Sequence, residues 1–369
     1  MIRLVLRSRE PRWLAPLLIC CAIAITYLLT AGPIRWAGAN PMAAYRRYVI
    51  WPLTSGDSLG EVLLTSTPLL FTGLAVAIAF RAGFYNIGAE GQFLAGAIAA
   101  TWAGTTFDGL PAPVAIPFAL AAGAVAGALW ILVPALLRVG FRIDEVVTTL
   151  LLNPVALLCV QGLLNGPWRN PVNQFPESAY IGSGYNFPKI IPGTRVHLGF
   201  AVALGLAALA WLVLARTATG LRLRAVGLTS AGARFNGVSV ERTMLSSALV
   251  SGAIAGMGGV SQVCGLQGQL TGEISAGFGY TGIVVATLAA LTPIGVVLVA
   301  LLLGDIVVGA DSASLVLQLP PQMGQVVTAT LLLVTVGILV LRRYRPVLSR
   351  RRKAAATMAR VASREEVLR

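Results

Sequence analysis

Lysine is almost missing from this chain. Only Lys189 and Lys353 occur among 369 residues, in the contexts NFPKI and RRRKAA. A phosphate-binding loop of the G-x-x-x-x-G-K-[ST] type therefore cannot be present, and the chain does not bind and hydrolyse ATP by that route. Histidine occurs once, at His197. The four cysteines, Cys20, Cys21, Cys159 and Cys264, fall in apolar stretches without metal-ligand spacing. They read as buried small hydrophobes, so neither a redox pair nor a metal centre is expected. With one histidine and two lysines no nucleophile–base arrangement can be assembled, and no catalytic residue is assigned. Charge is scarce as well. Charged residues make up 11% of the chain, against about 25% in soluble domains.

What is present is apolar. Hydrophobic residues reach 56% and mean hydropathy is +0.79. At about 20 residues per crossing, ten spans are expected, near 13–31, 59–80, 88–106, 112–137, 146–165, 197–215, 244–264, 278–292, 294–311 and 324–341. The expected fold is an all-α integral membrane protein of about ten transmembrane helices. Its parts are residues 1–58, a first span (retained rather than cleaved as a signal) with an outside loop; 59–341, the transmembrane domain with an inner loop at 216–243; and 342–369, a basic cytoplasmic tail. The net charge of +14 has a directional distribution. With the N-terminus inside, inner segments carry 22 Lys and Arg and outer segments six, ten of the 22 lying beyond residue 341. That asymmetry places both termini in the cytoplasm. The tail is suited to anionic lipid headgroups. Only Tyr344 interleaves with its arginines, so no stacking platform for nucleic acid is expected.

The segment 80–96, FRAGFYNIGAEGQFLAG, interrupts this pattern. Polar groups and glycines at membrane depth are tolerated where protein or a water-filled cavity satisfies the freed backbone. A second interruption, GLQGQLTGEISAGFGYTG, begins at Gly265 and also leads into a small-residue span. One break lies on the inner side and the other on the outer, as an inverted repeat requires, and paired broken helices point to a substrate site near the midplane. Within the second break, Gly277 to Gly282 spell G-x-G-x-x-G. No βαβ pattern surrounds it and the next acidic residue, Asp305, lies inside an apolar span, so it is not a dinucleotide fingerprint. Gly123-x-x-x-Gly127 and Gly252-x-x-x-Gly256 read as helix-packing motifs. Four carboxylates, Glu90, Glu273, Asp305 and Asp311, lie within or at the edge of spans. They fit either ion coupling or, for Glu90, a cross-helix hydrogen bond that shapes the break; Asp305 and Asp311 are expected near span ends. The long outer loops, 32–58 and 166–196, are candidates for function.

Four segments carry a family resemblance: 68–96, 145–171, 217–260 and 277–310, with NIGAEGQ the most specific string. They resemble the permease subunits of bacterial ATP-binding-cassette (ABC) importers, in the branch with branched-chain amino acid, ribose and nucleoside permeases and nearest the nucleoside type. The resemblance implies a permease of the bacterial cytoplasmic membrane with no cofactor of its own, ATP and Mg being held by two cytoplasmic ATPase subunits. It also implies a second, shorter permease and an extracytoplasmic substrate-binding lipoprotein as partners. In it the 216–243 loop, with Arg222 and Arg224, is the element that couples to the ATPase. Ala231, Ala233 and Gly237 fall on its alanine–alanine–glycine pattern, without the usual leading glutamate. Asn86, Glu90, Gln92 and Asn153 are then expected to hydrogen-bond a ribose or base in the substrate path, with Phe278 and Tyr280 stacking on it. Sugars or branched-chain amino acids are the alternative substrates, and an ion-coupled secondary carrier is the alternative class.

Overall fold

The computed structural model describes residues 2–6, 14–320 and 322–348. A helix stands at each of the ten predicted span positions: α1 (Leu14–Trp36), α3 (Gly56–Arg81), α4 (Ala89–Thr106), α5 (Ala112–Phe141), α6 (Glu145–Asn165), α7 (Leu198–Arg216), α10 (Val240–Gln262), α11 (Phe278–Leu288), α12 (Pro293–Leu317) and α13 (Gln322–Arg343). The short α2 (Pro41–Val49) lies in the loop expected outside at 32–58, and α8 (Ala218–Leu228) and α9 (Ser230–Phe235) make up the loop expected inside at 216–243. Six helices, α3, α5, α6, α7, α10 and α12, are long and apolar enough by themselves to cross a membrane. α11 is shorter than expected because Ala290 and Leu291 take positive φ and end it. Its 11 residues reach only about 16 Å at 1.5 Å per residue, half the hydrocarbon thickness.

The chain divides into two compact units, residues 1–38 with 325–369, and residues 39–324. In the first, Ala22 of α1 packs against Val334 and Ile338 of α13. A strand pair that the hydropathy pattern does not announce joins Ile2–Leu6 (β1) antiparallel to Tyr344–Leu348 (β2). The basic tail beyond residue 348 lies outside the described residues.

In the second unit α3 and α10 are central. The most apolar windows of α3 and α10 are 89% and 67% buried, whereas those of α5, α6 and α7 are 22–28% buried. The outward leucines and valines of those peripheral helices face a medium as apolar as themselves, as membrane helices do. Local chemistry sets several starts. Ser55, Asp144, His197 and Thr292 each accept a backbone N–H in the first turn of α3, α6, α7 and α12, satisfying donors that helix beginnings leave free. His197 is therefore a buried cap. The outer loop is stitched to the α10–α11 connection by backbone bonds from Ser178, Ile181 and Phe187 to Leu270, Gly268 and Cys264. Asp305 is buried halfway along α12 and Asp311 is exposed a turn and a half later. The expectation that Asp305 sits near a span end is corrected: α12 extends six residues past the predicted boundary at 311.

The two G-x-x-x-G motifs meet each other. A Cβ on Gly256 would collide with the Gly123 carbonyl, and one on Gly127 with the Gly252 carbonyl, while Gly96 of α4 closes on the Gly256 carbonyl. Backbone-to-backbone contact at this crossing leaves no room for a side chain. Gly256→Val is expected to remove most folded protein from detergent extracts, since overpacking costs about 1–3 kcal/mol even where neighbours can shift. Gly162→Ala on α6, where a Cβ meets nothing within 4 Å, is expected to leave the melting temperature unchanged; size-exclusion profiles and thermal melts check both.

Candidate functional site

Between α3 and α4 the chain leaves helical geometry at residues 82–88, with Gly83 at φ +75°. The freed backbone groups are satisfied by side chains from neighbouring helices. Asn86 is fully buried and its amide is saturated. Its Oδ1 accepts from the Gly88 N–H at 2.8 Å and from Gln92 Nε2 at 2.9 Å. Its Nδ2 donates to Gln92 Oε1 and to Ser251 Oγ, both at 2.9 Å. Ser251, on α10, passes its own hydroxyl to the Ala75 carbonyl of α3 at 2.6 Å. An asparagine side chain has two donors and room for two acceptances, so Asn86 has none left over.

α6 supplies the other side. Asn153 accepts from the Gly91 N–H and donates to the Ile87 carbonyl, each at 2.9 Å. One turn earlier Thr149 accepts from the Ile87 N–H at 3.2 Å. One turn before that Glu145 accepts from the Tyr85 N–H at 3.2 Å and pairs with Arg138 Nε at 2.9 Å. Glu145, Thr149 and Asn153 thus form a stripe at i, i+4, i+8, one helix face, and all three are buried. Ser251, Thr149, Glu145 and Arg138 were not among the expected site residues. The four-residue spacing of polar groups on an otherwise apolar α6 was the available signal.

Glu90 joins the two broken segments. It sits in the first turn of α4 and accepts the Gly279 N–H, in the first turn of α11, at 2.7 Å. Thr72 of α3 donates to the Phe278 carbonyl at 3.0 Å. Two helix N-termini therefore converge on one carboxylate, the charge sign that helix beginnings favour. Phe278 is half-buried with its ring 5.8 Å from that of Phe93, and Tyr280 is exposed. The structure brings Asn86, Glu90, Gln92, Asn153 and Phe278 into one polar knot, while Tyr280 lies at its edge on α11.

The inner-loop residues form a separate surface. Two helices, α8 and α9, make up the segment read as a loop, each opened by a threonine cap, Thr217 and Thr229. Arg222, Arg224 and Ala231 are exposed and Ala233 is buried. Gly237 takes φ +77° just after α9. Arg224 is tied to the Leu214 carbonyl and Arg234 to Glu241. Leu228 and Phe235 are 85% and 92% exposed.

The family described as the permease component of the branched-chain amino acid transport system matches residues 58–336. The chain belongs to that family. This permease is 35% identical to the guanosine ABC transporter permease protein NupP of Bacillus subtilis, over 84% of this chain and 90% of that one. It is 33% identical to the glucose ABC transporter permease protein TsgB13 of Haloferax volcanii, over 92% of each. To the nucleoside ABC transporter permease protein NupB of Lactococcus lactis it is 30% identical, over 89% of this chain and 91% of that one. No solved structure matches it. The permease is a multi-pass membrane protein and a transport component rather than an enzyme.

Asn153→Leu is expected to strip the Gly91 N–H and the Ile87 carbonyl of their partners at a depth where water is absent. Each orphaned group costs about 1–3 kcal/mol, so the melting temperature of the detergent-solubilised permease should fall clearly. Asn165→Ala, at the exposed end of α6, should leave it unchanged.

Proposed function

We propose that this permease is the membrane subunit of an ABC importer that moves nucleosides into the cytoplasm, driven by ATP hydrolysis on partner subunits. The observation that carries this reading is the likeness, over about nine-tenths of their length, to relatives named for guanosine and nucleoside transport. The glucose-named relative, matched over as much of the chain, favours a sugar as the second reading. A hydroxyl-bearing sugar ring is the chemistry common to both.

The broken helices α4 and α11 border the path. Their N-termini meet at Glu90, and paired broken helices of this kind border the substrate path where the fold is an inverted repeat. Asn86, Gln92 and Asn153 act by holding the break in shape, their hydrogen bonds being already given to protein. Tyr280, exposed, and Phe278, half-buried, are the groups left to face a base or sugar ring. α8 and α9 dock on the ATPase. Exposed Leu228 and Phe235 are the apolar anchors that such an interface needs at its centre, with Arg222 and Arg224 at its rim and Ala231, Ala233 and Gly237 setting the turn. The substrate-binding lipoprotein delivers solute to the outer loops, and a second, shorter permease completes the pore. The excess of Arg on the inner side puts both termini in the cytoplasm and the complex in the bacterial inner membrane.

Replacing both Leu228 and Phe235 with aspartate is expected to abolish co-purification of the ATPase and to lower nucleoside uptake at least tenfold, with permease abundance in the membrane unchanged. Uptake of labelled nucleosides by vesicles should also stop when the partner ATPase loses its phosphate-binding lysine; uptake that persists and follows an ion gradient would establish the carrier reading instead. Calorimetry of the binding protein against nucleosides and sugars decides between the two substrate classes.

A further inference from the structure

On the outer side of the polar knot's helices, α4, α5 and α6 line an open groove of about 530 Å³. Every residue lining it is apolar. Trp130 lines it too, and its indole nitrogen is buried beside Gly91 rather than open to the groove, so the ring presents carbon to an occupant. Leu129, on the same side of α5, is 58% exposed. The groove thus opens sideways, toward the medium that surrounds the helices.

Its dimensions select the occupant. Its lining spans Ala95–Trp102 on α4, Ala126–Val133 on α5 and Leu152–Leu163 on α6, about 10–16 Å at 1.5 Å per residue. One leaflet of hydrocarbon is about 15 Å deep, half of a 30 Å core. A volume of 530 Å³ over about 10–16 Å leaves a cross-section of about 33–50 Å². A helix 10–12 Å across needs about 80–110 Å², so a transmembrane helix of a partner subunit does not fit. A single hydrocarbon chain does. Beyond Leu163 the groove is closed by Trp168, a residue type at home at the membrane–water interface. Arg169 follows, exposed. Its Nε donates to the Gln174 carbonyl at 2.6 Å, and its terminal nitrogens have no protein partner among the described residues. A cation thus follows directly in the chain on Trp168, a residue that lines the groove, and it is the charge that pairs with a lipid phosphate.

We propose that this groove is a phospholipid site, holding one acyl chain along α6 with the lipid phosphate on Arg169. The site is independent of the transported solute, and in the orientation given above it belongs to the outer leaflet. Native mass spectrometry of the permease purified in mild detergent from its own membrane tests this. The wild type is expected to retain one phospholipid through delipidating washes. Ala126→Phe and Ala99→Phe, which fill the groove from α5 and α4, should each lose it while melting temperature and ATPase co-purification stay unchanged. Arg169→Gln should keep the chain site but weaken retention of an anionic lipid, phosphatidylglycerol, at least threefold relative to phosphatidylcholine. Wild-type protein that carries no lipid, or a groove-filled variant that still folds and retains it, overturns the proposal. So does a second permease chain cross-linked through a cysteine at position 99.

Discussion

Hydrocarbon offers no hydrogen bonds, so every backbone N–H and carbonyl that leaves helical geometry inside the bilayer must find its partner within the protein. The rest of this structure follows from meeting that demand at residues 82–88. α6 carries Glu145, Thr149 and Asn153 on its one buried stripe because the break must be met from that side. α10 contributes Ser251 from the other side, relayed onto α3. α11 closes the top through Glu90. A shaped, non-helical backbone is thus held in place by five helices.

The second constraint is proximity. Side chains as short as serine and asparagine bridge helices only if the backbones come close, and the glycines at the α5–α10 crossing permit that. α4 sits in the same contact through Gly96. Packing and polarity therefore support each other. The glycine crossing sets the distance at which Asn86 reaches Ser251, and the saturated amide keeps the break from collapsing into the space.

Much of this was legible in the sequence. The helix positions followed from apolar run length, the break from FYNIGAEGQ, and the glycine pairs from their four-residue spacing. Glu90 read as an ion-coupling group or, in preference, as a cross-helix bond, and the partner of that bond, Gly279, lies 189 residues away. Asn86 looked like a group awaiting a sugar. Its bonds to Gln92 and Ser251 are invisible in sequence because Ser251 lies 165 residues away. α11 was drawn too long because nothing in an apolar run announces that Ala290 and Leu291 will take positive φ. The polar stripe on α6 was in plain view but is diluted among leucines, where an average over the helix hides it.

The distances in sequence within the polar knot bear on how the protein is made. Tyr85, Ile87 and Gly91 wait for partners 60 to 66 residues later on α6, Asn86 waits 165 residues for Ser251, and Glu90 waits 189 for Gly279. At about 5–20 residues per second of synthesis, the last of these partners emerges roughly 10–40 s after the segment that needs it. A broken span with unpaired backbone cannot rest in lipid for that time. During biogenesis it must stay at the water-exposed mouth of the insertion machinery, or in its shelter, and enter the bilayer only with α10 and α11, so that the two halves are inserted as one event.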